Sequence, residues 1–314
     1  LLMAFLPACF EILGYTLFAP SLLGVTPLEA ALMGSVLAAV SPAVVVPKMV
    51  RLIDSGYGVK EGIPQLILAG ASLDDVFVIV VFSTFTGLVQ GEGVSALSFG
   101  KIPVSIASGL AVGAVFGLLL SWFFELCFKN GRYIRNSTKT VIVLGISFLL
   151  VSMEDALKGI WPVSGLLAVM GMAVILKLKC IPSVSSRLSQ KFSKLWIAAE
   201  VILFVLVGAA VDIRYAASAG LGVVAMIFAA LLFRTAGVFV CLLKTKLSVK
   251  ERLFCMIAYL PKATVQAAIG SVPLSLGLPC GKLVLTVAVT AIIITAPLGA
   301  FGMDLTYKRL LRPK

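Results

Sequence analysis

The amino-acid composition is that of a membrane protein rather than of a soluble domain. The chain has 314 residues, of which 60% are hydrophobic and 13% are charged, and its formal net charge is +12. Soluble domains are about a quarter charged, so a chain this apolar would leave much of its surface unsuited to water. It contains no histidine, which excludes histidine zinc sites, Ser-His-Asp triads and histidine proton relays. The six cysteines form no CxxC pair and are expected to be free thiols.

Apolar segments of the chain are predicted to cross the bilayer as helices, because runs of about 20 apolar residues match the hydrocarbon thickness. In chain order they lie at about 1–23, 27–47, 62–89, 103–127, 138–153, 162–177, 195–211, 219–243, 253–273 and 282–303. The predicted fold class is an all-α polytopic membrane protein with these ten transmembrane helices. The chain opens inside an apolar run without a methionine or a basic stretch, so it does not read as a signal peptide. We expect N-terminal spans to be missing.

Basic residues alternate between the loops on the two sides of the predicted membrane. One side carries the basic residues of 48–60, 129–139, 177–194, 244–252 and 308–314, and the other carries Lys101, Lys158, Arg214 and Lys282. Because basic loops stay in the cytoplasm, the richer side and the C-terminus are predicted to be cytoplasmic. The positive charge is therefore a topology signal, with anionic lipids as expected partners at the basic face and no nucleic acid.

A few charged residues lie inside the apolar spans instead of in loops. They are Glu11, Asp74, Asp75, Glu200, Arg234 and Lys262. A charge at the centre of a membrane helix costs about 2.5–3.5 kcal/mol on insertion scales, so these groups are expected to face one another or a water-filled cavity. With acids outnumbering bases in this set, the interior would attract cations and protons rather than anions.

The adjacent aspartates Asp74 and Asp75 are the strongest candidates for an ion site. Neighbouring helix residues point about 100° apart, so one carboxyl can line a cavity while the other turns to a neighbouring helix. Burial favours the protonated form of a carboxyl unless a cation compensates, so a bound monovalent cation can replace the proton. A purely structural pair that holds helices together is the alternative, but small neutral residues would do this at lower cost.

Two spans carry prolines that predict interrupted helices. Pro42 and Pro47 lie in the second span, and Pro261 lies in the ninth. Proline frees a backbone carbonyl, which a membrane tolerates only where protein or water satisfies it. A simple kink is the alternative for either proline alone. Paired broken spans favour a midplane binding site in a transporter, where Asp75 and Lys262 could balance the exposed helix ends.

The stretches "SPAVVVPKMV", "GYGVKEGIPQLILAGASLDDV" and "LPKATVQAAIGS" resemble the monovalent cation/proton antiporter superfamily, in particular the sodium/hydrogen exchanger-like NHA subfamily. The resemblance covers essentially the whole chain. It implies inverted repeats, two crossed, broken helices and a homodimer. Residues 1–314 would form a single transmembrane antiporter domain, with core elements at about 27–127 and 219–303 and the spans at about 138–211 towards the dimer side.

The resemblance also implies roles for individual residues. Asp75 matches the main ion- and proton-binding carboxylate and Asp74 matches its partner, so both would bind the cation. Ser41 and Pro42 match the lining of the first crossover.

In the second crossover, Lys262 matches a basic residue, flanked by the lining residues Pro261 and Thr264. Arg234 matches a cation on the preceding helix, with Glu11 as its expected partner, so their alanine variants should behave alike. Glu200 is a weaker candidate, which either lines the cytoplasmic funnel or pairs with a nearby lysine.

The predicted function is a secondary antiporter that exchanges a monovalent cation for protons by alternating access and so serves pH homeostasis. Sodium is favoured, followed by lithium. A potassium/proton antiporter and a sodium-coupled organic anion symporter remain as alternatives. A channel or pH-sensing subunit is disfavoured, because the only filter-like string, "SGYGVKEG", lies in a basic loop. No enzyme activity or cofactor is expected, and a plasma or inner membrane is the expected location.

Overall fold

The computed structural model describes the backbone of residues 2–91, 96–129, 131, 134–157, 160–210 and 213–313. Within these helices, the side chains at 72, 76, 96–103, 155, 200, 203, 204, 207, 208, 210 and 213–219 lie outside the description. The described part is helical, and its β-type pairing is confined to an isolated bridge between Tyr57 and Pro313. The predicted all-α fold class is thus confirmed.

The helices of the described residues follow one another with short connections. They are α1 Leu2–Leu23, α2 Pro27–Leu37, α3 Pro42–Ser55, α4 Ile63–Val89, α5 Ala96–Lys129, α6 Asn136–Ala156, α7 Gly165–Lys179, α8 Pro182–Ala210, α9 Ile213–Leu242, α10 Val249–Ala258, α11 Thr264–Gly270, α12 Val272–Ser275 and α13 Gly281–Leu310.

Helical segments long and apolar enough to cross a membrane number seven in the described part of the chain. They are Leu2–Leu23, Pro27–Ser55, Ile63–Val89, Val104–Lys129, Asn136–Glu154, Gly220–Leu242 and Gly281–Leu310. The predicted sixth span corresponds to α7, which has 15 residues, and the predicted ninth is divided into α10 and α11. The count of ten spans and the inverted repeats stay predictions.

Two boundaries differ from those predicted, and proline explains both. The break in the second span lies at 38–41, and Pro42 opens α3 in place of interrupting a longer helix. Helix α8 begins at Pro182, so the basic residues at 187–194 are helical although the sequence places them in a loop. Proline suits the first turn of a helix because its missing N–H would be unpaired there anyway.

By internal packing the chain divides into two compact units. The first comprises Leu1–Gly93 and Leu203–Lys314, and the second comprises Val94–Ile202. In the first unit α1 packs against α9, α2 and α4, while α13 packs against α10 and α11. Compactness does not identify which part moves, so the expected core and dimer sides stay predictions.

Glycines in the second unit allow α5 to pack closely against α7. Gly109, Gly113 and Gly117 lie along one face of α5, against α7. A Cβ added at Gly113 would lie 2.0 Å from the backbone oxygen of Ala168. Small residues at four-residue spacing permit such close helix contacts in membranes, where apolar burial adds little between helices.

Candidate functional site

The two helix breaks contact each other inside the first unit. The first break separates α2 from α3 at residues 38–41, and the second separates α10 from α11 at residues 259–263. The Ser41 amide donates to the Pro261 oxygen at 2.8 Å. The side-chain Nε2 of Gln266, which lies in the first turn of α11, donates to the Ala39 backbone oxygen at 2.8 Å. Backbone groups freed by one break are thus satisfied by the other, as membrane burial requires.

Arg234 of α9 donates hydrogen bonds to backbone oxygens of both breaks. Its side chain is 0% exposed, and its Nε donates to the Tyr259 oxygen at 2.7 Å, at the start of the second break. One terminal nitrogen donates to the Ala38 oxygen in the first break. The same nitrogen lies 2.8 Å from Glu11 Oε2, and the other lies 3.0 Å from Asp74 Oδ2. The planar guanidinium can serve all four acceptors because its donors have fixed, divergent directions.

Asp74 of α4 is fully buried and belongs to this network. Besides Arg234, its Oδ2 accepts a hydrogen bond from the Val40 amide at 2.8 Å. This contact links α4 to the first break. Asp74 Oδ1 is buried, and no described residue forms a hydrogen bond with it.

Lys262 lies in the second break and shares an acceptor with Arg234. Its Nζ is 2.6 Å from Glu11 Oε2, and the Lys262 side chain is 1% exposed. Its backbone amide donates to Thr295 Oγ1 of α13 at 3.0 Å. The expected pairing of Glu11 with Arg234 is present in the structure, but Glu11 also accepts from Lys262.

Asp75 stands apart from the paired charges. Its side chain is partly buried, and its buried Oδ1 has no hydrogen-bond partner in the part of the chain that the structure describes. Within the described residues no ion pair includes Asp75. Of the carboxyl groups predicted to bind the ion, it is therefore the one left without a compensating cation.

The remaining predicted residues lie at or beside the breaks. Ser41 is fully buried, and its Oγ has no hydrogen-bond partner within the described residues. Pro42 begins α3, Pro261 lies in the second break, and Thr264 is buried at the start of α11. The Glu200 side chain lies outside the described residues. The roles assigned to all of these residues stay predictions.

Three further residues complete the site without having been singled out from the sequence. Gln266 connects the breaks, Thr295 holds the Lys262 backbone, and the Tyr259 ring lies 5.5 Å from the Arg234 guanidinium carbon. Gln266 lies within the "LPKATVQAAIGS" stretch, where a polar side chain just after a break was an available signal. Thr295 carries no comparable signal, because single threonines are common in apolar helices.

Comparisons with known proteins agree with this architecture. The family model described as "Sodium/hydrogen exchanger, transmembrane" matches residues 1–304. Sodium/hydrogen exchanger 9B2 of Homo sapiens is 34% identical over 315 residues, covering 98% of this chain and 57% of the human protein. Sodium/hydrogen exchanger 9B1 of Macaca fascicularis is 34% identical over 296 residues, covering 90% of this chain and 55% of the relative. The chain thus spans little more than half the length of these curated relatives.

A solved structure shows the same fold. The sodium proton antiporter MjNhaP1 from Methanocaldococcus jannaschii superposes with a TM-score of 0.82 at 19% identity, covering 98% of this chain and 78% of that one. With its apolar helices, the protein is an integral, multi-pass membrane protein. The match over nearly all residues places the chain in the sodium/hydrogen exchanger family.

Proposed function

We propose that the protein is a secondary antiporter that exchanges a monovalent cation for a proton at Asp75. The balance of buried charges carries this proposal. Among the described residues around the breaks, the acids Glu11 and Asp74 pair with the bases Arg234 and Lys262. Asp75 remains as one negative charge without a partner. A single unbalanced carboxylate suits a single proton or a single monovalent cation.

Three buried oxygen atoms, on α4 and at the first break, are of the kind that binds a hard cation. Asp75 Oδ1, Asp74 Oδ1 and Ser41 Oγ are buried, and none has a hydrogen-bond partner among the described residues. Hard cations are bound by oxygen ligands such as carboxylates and hydroxyls. A cation that replaced the proton on Asp75 could draw on this set, so both ions would compete for one site. Sodium is favoured by the names of the relatives, and lithium is the next candidate.

The network also supports an exchange of one cation for one proton. Asp74 Oδ2 accepts from both Arg234 and the Val40 amide, so a proton or cation on Asp74 would disturb two existing contacts. Asp74 would then keep its charge throughout the cycle, while Asp75 alone gains and loses a proton. Exchange would be electroneutral.

Alternating access would expose Asp75 to each side of the membrane in turn. We also propose that the protein is a homodimer in a plasma or inner membrane. The basic loops and the C-terminus would face the cytoplasm and anionic lipids.

Proton flux in proteoliposomes tests this function. The full-length protein is reconstituted with an internal pH dye, and sodium, lithium or potassium is added outside. Wild type is compared with Asp75→Asn and with Asp54→Asn, which changes an exposed aspartate at the end of α3. Cation-driven alkalinisation that is lost in Asp75→Asn and kept in Asp54→Asn is the expected result. Full activity of folded Asp75→Asn would refute the site, and a wild type silent with all three cations would refute the antiporter.

A further inference from the structure

Gln266 is a buried side chain that joins both helix breaks through a single amide group. It is 0% exposed. Its Oε1 accepts from the Ala263 amide in the second break at 2.8 Å. Its Nε2 donates to the Ala39 oxygen in the first break at 2.8 Å. The first bond caps α11 and is local, whereas the second joins residues 227 positions apart in the chain.

The bond to Ala39 fixes the orientation of one peptide plane. The Ala39 carbonyl and the Val40 N–H belong to the same planar peptide unit and point in opposite directions. Gln266 holds the carbonyl end of this unit, and Asp74 Oδ2 accepts from the N–H end at 2.8 Å. The peptide unit is therefore held from α11 on one side and from α4 on the other. Rotation of the plane would break both bonds together.

We infer that Gln266 is a positioning residue for the cation site and acts through the peptide unit between Ala39 and Val40. By fixing that unit it fixes the donor that orients Asp74. The other oxygen of Asp74, Oδ1, is one of the buried atoms that the proposed cation site would use, so the orientation of Asp74 bears directly on that site. This inference rests on the proposed function, since it assigns Gln266 to the site where the cation is exchanged.

The main test replaces Gln266 by methionine, which keeps a similar volume and loses both hydrogen bonds. The matched control is Thr286→Val in α13, because the buried Thr286 hydroxyl donates only to the Lys282 oxygen of its own helix. Sodium-driven proton flux is measured for the apparent KM and the maximal rate. Hydrogen exchange of a peptide covering residues 38–41 is measured on the same folded protein.

In Gln266→Met we expect an apparent KM for sodium about tenfold higher, which corresponds to about 1.4 kcal/mol. The maximal rate should change little. Exchange at residues 38–41 should accelerate, because the Ala39 oxygen loses its donor, and rotation of the freed peptide unit breaks the hydrogen bond from the Val40 amide to Asp74. Thr286→Val should leave both measurements as in wild type. If the methionine variant does not fold, Gln266→Asn is measured in its place. The asparagine side chain is still polar but is too short to reach both the Ala263 amide and the Ala39 oxygen.

Other results would overturn the inference. An unchanged KM with a lowered maximal rate would place Gln266 in the conformational cycle and not at the cation site. Unchanged exchange at residues 38–41 would show that the peptide unit is held without Gln266. A wild type without cation-driven flux would refute the proposed function, while hydrogen exchange would still measure the effect of Gln266 on the break. The two failures are therefore distinguishable.

Discussion

Replacement of Arg234 by methionine tests whether this side chain holds the two breaks together. The variant removes four hydrogen bonds, to Glu11, Asp74, Ala38 and Tyr259. Removing one partner of a buried ion pair costs about 3–5 kcal/mol, and each buried carbonyl left without a donor adds about 1–3 kcal/mol. Domain stabilities are typically about 5–15 kcal/mol. Arg234→Met should therefore lose most of its folded protein.

Glu11→Gln should be milder than Arg234→Met, although the alanine variants of Glu11 and Arg234 are expected from the sequence to behave alike. The glutamine oxygen still accepts from Arg234 and Lys262, so the variant loses the charge of one buried ion-pair partner, at about 3–5 kcal/mol, but leaves no backbone carbonyl without a donor. Arg234 keeps its bonds to both breaks.

The assay is thermal unfolding in detergent. The measured quantity is the fraction of protein that remains monodisperse after heating. Wild type, Arg234→Met, Glu11→Gln and the control Arg51→Met are compared, since Arg51 is exposed on α3. Arg234→Met should have by far the lowest midpoint, and Arg51→Met should match wild type. Equal midpoints for Arg234→Met and Glu11→Gln would refute the idea that the carbonyl contacts stabilise the breaks. Because the two residues touch, the double variant should be less destabilised than the sum of the single variants.

Two further predictions concern the charge balance and the second unit. Lys262→Met should raise the apparent affinity for sodium in the flux assay, because one positive charge fewer repels the ion. Lys262→Arg is its control, and an unchanged affinity in Lys262→Met would remove Lys262 from the electrostatics of the site. Gly113→Ala should lower the thermal midpoint, because its Cβ would meet the Ala168 oxygen at 2.0 Å. Gly145→Ala in α6, where a Cβ meets nothing within 4 Å, should be neutral or slightly stabilising, and equal midpoints would contradict the close α5–α7 contact.

The sequence predicts what depends on composition and on short motifs. The helical fold class follows from apolar runs, and the presence of two breaks follows from proline beside polar residues in otherwise apolar spans. The need for compensation of the buried charges follows from the cost of a charge in hydrocarbon, whatever the fold. These inferences need no knowledge of which helices are neighbours.

The partners of each charge depend on that knowledge, and the one pairing that is expected, Glu11 with Arg234, comes from the family resemblance and not from the residue pattern. Arg234 meets Glu11 across 223 chain positions, and Lys262 meets the same carboxylate across 251. The numbers of buried acids and bases alone would equally allow Lys262 to pair with Asp75. The proline positions mislead locally as well, since Pro42 starts a helix and leaves the break at residues 38–41. Which backbone groups need partners therefore becomes known only with the structure.

Because of where the breaks lie, the paired charged side chains compensate each other and also bind backbone groups of the breaks. In a continuous helix the groups of residues 38–41 would be satisfied within the helix, and Arg234 and Asp74 would be free to change partners during transport. In the observed structure the Ala38 oxygen and the Val40 amide are bound by these same two side chains. A proton or cation that neutralised Asp74 would thus weaken the break itself, whereas one that neutralised Asp75 would leave every described backbone contact intact. These contacts support the proposal that Asp75, and not Asp74, is the group that changes its charge, because a proton or cation on Asp75 would break none of the described backbone contacts.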